Sequence, residues 1–239
     1  MLDTQPDATP SGILTVADLQ ERSRNHAHES QILLSGVMKS VTVGNAAYTL
    51  VMLAGSSVSP LLWIPFWIDT FATIIVSFTQ QITGSLLSTF VPDWRETTIV
   101  FSEALWEFMM MSTLMPRGSR LPMLSSWYVV AGLHAVFGVL AMQNLRSKLA
   151  SGRYSPALGG RVESFRAGLR RNMPFAGAGA AIVFSAGIAT RYLVPRFPAL
   201  EQWQVIVPLA ILANVIIVIR AMDRDRSRIL TFFSTHSGQ

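Results

Sequence analysis

Leu61–Leu87 reads LLWIPFWIDTFATIIVSFTQQITGSLL. Asp69 is its one charge, and its length exceeds the roughly 20 residues that a helix needs to cross a hydrocarbon core. Asp69, Thr73, Ser77 and Gln81, continued by Gly84 and Ser88, recur at steps of four or three, with Gln80 beside them. Such steps keep side chains near one side of a helix. A polar side on an apolar helix predicts that this side does not face lipid.

Five further apolar segments flank this one. They cover about Leu33–Ser57, Thr97–Met115, Leu124–Met142, Met173–Val194 and Gln204–Ile219. The expected fold is therefore all-α, a polytopic helical membrane bundle of six spans. Composition agrees: half of the 239 residues are hydrophobic, 14% are charged, and mean hydropathy is +0.39. Soluble domains run near 25% charged. Trp63, Trp67, Trp127, Tyr128 and Trp203 fall at or near span ends, as an aromatic belt at the interfaces predicts.

Orientation follows from the basic residues. The connection between the fourth and fifth spans carries Arg146, Lys148, Arg153, Arg161, Arg166, Arg170 and Arg171 against Glu163. After the sixth span come Arg220, Arg224, Arg226 and Arg228. Positive charge beside spans marks the cytoplasmic side, so six spans put both termini there. The third segment is the exposed point of this topology, because Glu103 and Glu107 each cost roughly 2.5–3.5 kcal/mol at mid-helix on insertion scales. Were it re-entrant, five spans would remain and the N-terminus would lie outside. Three regions result: an N-terminal cytoplasmic segment over 1–30, read as disordered through Pro10 and carrying a short helix after Thr15; a transmembrane domain over 31–219 with a basic loop at 143–172; and a basic amphipathic tail over 220–239. The acidic start, with Asp3 and Asp7 and no apolar run behind it, is not a signal peptide.

The candidate chemistry lies in the ionisable residues inside spans. Glu96, Glu103 and Glu107 form a stripe on the third segment, followed by Met109–Met111, and this stripe is expected to face that of the second span or a cavity shared with it. At a rise of about 1.5 Å per residue, Asp69, Glu107 and His134 come to similar depths near mid-membrane. Asp69, Gln80, Gln81, Glu103, Glu107 and His134 are therefore candidates for an ion or proton pathway. The competing account pairs the two glutamates with Gln80, Gln81 or a neighbouring hydroxyl, and packs His134 as a neutral ring among Ala131, Gly132, Ala135 and Gly138. Lys39 and Arg191 lie near enough to span ends for their heads to snorkel to the interface.

On the fifth span Gly177, Ala181, Ser185 and Ala189 form a row of small residues, with Gly179 and Gly187 on a second row. Such rows let helix backbones approach closely, inside a bundle or between subunits. Pro174 is read as a helix-start residue, while Pro65 and Pro208 are placed to kink their spans. Arg161, Arg166, Arg170 and Arg171 in the loop, with Arg220, Arg224 and Arg228 in the tail, are expected to meet anionic lipid or a docking partner.

Several classes are excluded or disfavoured. The chain has no cysteine, which removes disulfides, thiol catalysis and Cys-ligated metals. No P-loop, HExxH or GxSxG occurs. No catalytic residues, metal or cofactor are expected, nor a nucleic-acid partner, despite a net charge of +5. The partners expected are the bilayer and other subunits, in a homo- or hetero-oligomer. The leading expectation is a multi-pass protein of a bacterial-type inner membrane, transporter- or channel-like, moving a small solute or ion with a proton link through its acids. The alternative is a non-catalytic membrane subunit of a secretion, conjugation or respiratory assembly, and behind it an intramembrane enzyme.

Overall fold

A computed structural model describes residues 16–87, 94–116, 124–151, 161–197, 199, 205–217 and 219–220. The described residues are helices and their connections, with no strand among them. Helix α1 spans Val16–Ala54, α2 Pro60–Leu87, α3 Trp94–Thr113, α4 Leu124–Ala150 and α5 Arg161–Leu193. A shorter apolar helix, α6, covers Ile206–Ile217. Four stretches are long and apolar enough to cross a membrane: Ile32–Ala54, Pro60–Gln81, Leu124–Ala150 and Arg166–Leu193. The architecture is thus compatible with a multi-pass membrane protein. Helix α3 has 20 residues, about 30 Å at helical rise, but Arg95, Glu96, Glu103 and Glu107 keep it out of that apolar set.

The helices run past the expected spans. α1 continues without a break from Val16 through the first apolar segment, in place of a separate short helix. α5 begins at Arg161, so Pro174 lies inside the helix and not at its start. There Pro174 offers no N–H to the Arg170 carbonyl, as an interior proline must. The residues before it, Val162–Asn172, contain nothing that stops a helix.

Side-chain pairs fix how the helices lie. Between α1 and α2 the contacts are Ser35 with Gln81, Lys39 with Ser77 and the Ala46 carbonyl with Trp67. One series rises as the other falls, so α1 and α2 are antiparallel, as their short connection requires. Gln81 meets Glu103 and Ser77 meets Glu107, which makes α2 and α3 antiparallel too. α1 buries Ser35, Lys39, Thr42, Ala46, Thr49 and Leu53, a seam stepping four and three like one side of a coiled coil. Toward the other end, the core is apolar and aromatic, with Phe66, Met111, Leu114, Trp127 and Tyr128.

α5 lies along α4 through glycines. A Cβ on Gly132 would stand 2.8 Å from the Phe184 ring, and one on Gly187 would stand 3.1 Å from the Tyr128 Cβ. The close approach therefore uses the Gly187 row. Gly177, Ala181 and Ser185 are exposed on the surface of the chain, and Ala189 is half-buried. The aromatic residues also differ from a lipid-facing belt. Trp63, Trp127 and Tyr128 are buried, because their rings fill the bundle interior. Trp203 lies outside the described residues.

Candidate functional site

Glu107 is fully buried, and groups from three other helices converge on it. Lys39 of α1 donates to both carboxylate oxygens, at 2.6 Å to Oε1 and 2.5 Å to Oε2. Lys39 also donates to the Ser77 hydroxyl of α2, and that hydroxyl donates to Glu107 Oε1. His134 of α4 places Nε2 3.5 Å from the same oxygen, within ion-pair reach but without hydrogen-bond geometry. Each of α1–α4 thus supplies one polar group to a single point.

A second tier lies one turn along α3. Gln81 donates to Glu103 Oε2 at 2.9 Å, and Ser35 donates to the Gln81 side-chain oxygen. Glu103 is buried and within electrostatic range of His134, Lys39 and Glu107. On the other side of Glu107, Asn45 Nδ2 donates to the Phe108 carbonyl at 3.0 Å and to Ser112 Oγ at 3.2 Å. Ser77 and Gln81 of α2 thus meet Glu107 and Glu103 of α3, and Ser35 and Lys39 of α1 join them.

Lys39 requires a correction. Its head does not snorkel; it is buried and turned into the bundle. A charge inside an apolar bundle is retained when a counter-charge and further hydrogen bonds satisfy it, and Glu107 with Ser77 provides both. The missed signal was the polar row on α1. Ser35, Lys39, Thr42 and Thr49 step like the row on α2. Arg191, by contrast, is exposed in the last turn of α5.

The depths also need revision. His134 does stand level with Glu107, but the α2 residue at that level is Ser77. Asp69 lies eight residues away, about 12 Å along the helix. Helix ends set the earlier depth estimate, whereas the paired side chains set the true register. Asp69 is buried, and neither carboxyl oxygen has a hydrogen-bond partner among the described residues. Its surroundings are aromatic: Phe66, Trp127 and Tyr128 meet edge-on at centroid distances of 4.9, 5.6 and 5.2 Å. Trp127 Nε1 donates to Thr70 Oγ1 at 2.9 Å, which locks α4 against α2 beside Asp69.

The remaining candidates separate. Gln80 is exposed and outside the cluster. Ser88 and Arg224–Arg228 lie outside the described residues, and of Glu96 and Arg161 the backbone alone is described. Arg166 donates to Glu163 at 2.7 Å, while Arg170 and Arg171 are exposed. No group of His, Asp and Glu fit to hold a metal ion occurs among the described residues.

With Lys39 charged, two carboxylates exceed the fixed positive charge by one. The set is neutral when one further proton sits on Glu103, Glu107 or His134. Glu103 and Glu107 stand one turn apart, about 6 Å along α3. No family model, curated protein or solved structure matches the chain.

Proposed function

We propose that this chain is a six-span membrane protein that moves a small solute or ion with a proton link. The observation that carries the reading is the meeting of Lys39, Glu103, Glu107 and His134 inside an apolar bundle. Intramembrane ionisable groups that face a bundle interior are found along ion routes and in proton relays. In this reading α3 crosses with its acids satisfied by α1 and α2, and α6 forms part of the sixth span. Both termini and the basic ends of α4 and α5 then face the cytoplasm of a bacterial-type cell, by the positive-inside rule. Arg170 and Arg171 meet anionic headgroups there.

The test is collapse of an imposed pH gradient in proteoliposomes. The wild-type protein collapses it and Glu107→Gln does not. Equal rates for the two would remove Glu107 from the route.

A second reading, a subunit of a larger assembly, is favoured by one observation. Within its apolar window α5 is 17% buried by the chain, against 39% for α2. Its exposed face includes the row of small residues, which suits another helix. Native mass after gentle extraction discriminates: stoichiometric unrelated chains favour the subunit, a monomer or homo-oligomer the transporter.

A further inference from the structure

Asp69 is the group that the Lys39–Glu107 cluster does not use. It is buried, 1% exposed, and both of its carboxyl oxygens lack a hydrogen-bond partner among the described residues. Its own backbone carbonyl accepts from Thr73 Oγ1 at 2.9 Å, so its position on α2 is firmly helical. By the register that the Trp67–Ala46, Trp127–Thr70 and Ser77–Glu107 bonds set, the buried residues near this level are Trp127 and Tyr128 on α4, Ala46 and Thr49 on α1, and Met111 and Leu114 on α3. Tyr128 lies within electrostatic reach of Asp69. The ionisable groups Lys39, Glu103, Glu107 and His134 lie nearer the other end of the bundle. An ionised carboxylate in such surroundings, with no donor and no counter-charge, carries a large desolvation cost. A bound proton or cation removes the charge.

We infer that Asp69 is a separate ion-binding station, and that its occupant is a proton. Small monovalent metal ions ask for several oxygen ligands. Beside the carboxyl, this level offers the Thr49 and Tyr128 hydroxyls amid aromatic and apolar side chains, whereas a proton needs the carboxyl alone. The inference rests on the proton-linked reading and extends it. Glu103, Glu107 and Asp69 then form three levels along the bundle, about 6 Å and about 12 Å apart at helical rise. Asp69 serves the side opposite to the basic ends of α4 and α5.

The experiment uses the full chain in vesicles of phosphatidylethanolamine and phosphatidylglycerol, with dicyclohexylcarbodiimide as the probe. A protonated carboxyl adds its O–H across one C=N bond of the carbodiimide. The O-acylurea then rearranges to a stable N-acylurea, and no atom leaves. Peptide mass spectrometry should find this adduct on Asp69, forming more slowly as pH rises and unaffected by Na⁺ or K⁺. The infrared spectrum should show a carboxylic-acid C=O band that Asp69→Asn removes while the thermal unfolding midpoint holds. Suppression of the adduct by Na⁺ or K⁺ at constant pH would overturn the proton assignment in favour of a metal ion. Absence of both the adduct and the band would overturn the site. Labelled Asp69 in a protein that leaves pH gradients intact would keep the proton site and refute the transport reading instead.

Discussion

The Lys39 ammonium on α1 donates to both oxygens of the Glu107 carboxylate on α3, 68 residues away, with both side chains almost fully buried. This pair joins two helices that are not neighbours in the chain, and Ser77 and His134 bring in the other two. Breaking a buried pair from one side leaves an unpaired charge and costs about 3–5 kcal/mol, whereas apolar replacement of both partners is often neutral or better. Lys39→Met and Glu107→Met alone should therefore each lower the thermal unfolding midpoint sharply in detergent. The double variant should recover most of the loss. Additive losses would mean that the two side chains do not stabilise each other.

Much of this cluster was legible in the sequence because helical spacing is a local property. The steps placed Ser77 with Gln81 on one side of α2 and Glu103 with Glu107 on one side of α3, and Gln81 does bond Glu103. Lys39 was not legible in that way. Whether a lysine near a span end snorkels or turns inward depends on what a distant helix sets against it. Asp69 was misplaced in depth for a related reason: ends of helices fray and extend, and only side-chain pairs define register. On α5 two rows of small residues compete, and helix rotation decides which one packs.

Gln81 holds the second tier through its amide. Replacing it by Leu strips Glu103 of its donor and Ser35 of its acceptor, and a buried polar group left unmatched costs about 1–3 kcal/mol. Chemical or thermal unfolding of Gln81→Leu should show a loss of that order. No loss would indicate that water takes over the bond.

The α4–α5 contact depends on the missing side chain of Gly132. Its Cβ would fall 2.8 Å from the Phe184 ring, and overpacking of this kind typically costs about 1–3 kcal/mol. Gly132→Ala should destabilise accordingly. Gly177→Ala, with open space around it, should be neutral or stabilising by up to about 1 kcal/mol through helix propensity. Equal effects at the two positions would contradict the observed packing.

The exposed row on α5 separates the chain's own stability from its assembly. Ala181→Leu with Ser185→Leu should leave the unfolding midpoint of the isolated chain unchanged, since both residues are exposed. If α5 packs between subunits, the same variant should lose its oligomer in native mass spectrometry. An oligomer that persists would show that this face meets lipid.

Absence of cysteine permits a direct topology measurement. Single cysteines at positions 5 and 57 should be labelled by impermeant maleimide from opposite sides of the membrane, with position 5 reached from the cytoplasm. Labelling of position 5 from outside would replace six spans by five.

The most direct test joins structure and function in one variant. Lys39→Met/Glu107→Met should keep the fold of the wild-type chain, because its two apolar side chains replace a matched pair. In proteoliposomes holding an imposed pH gradient, the account predicts that this folded double variant leaves the gradient intact while the wild-type protein collapses it. Collapse at the wild-type rate would contradict the account and reduce the cluster to a packing device.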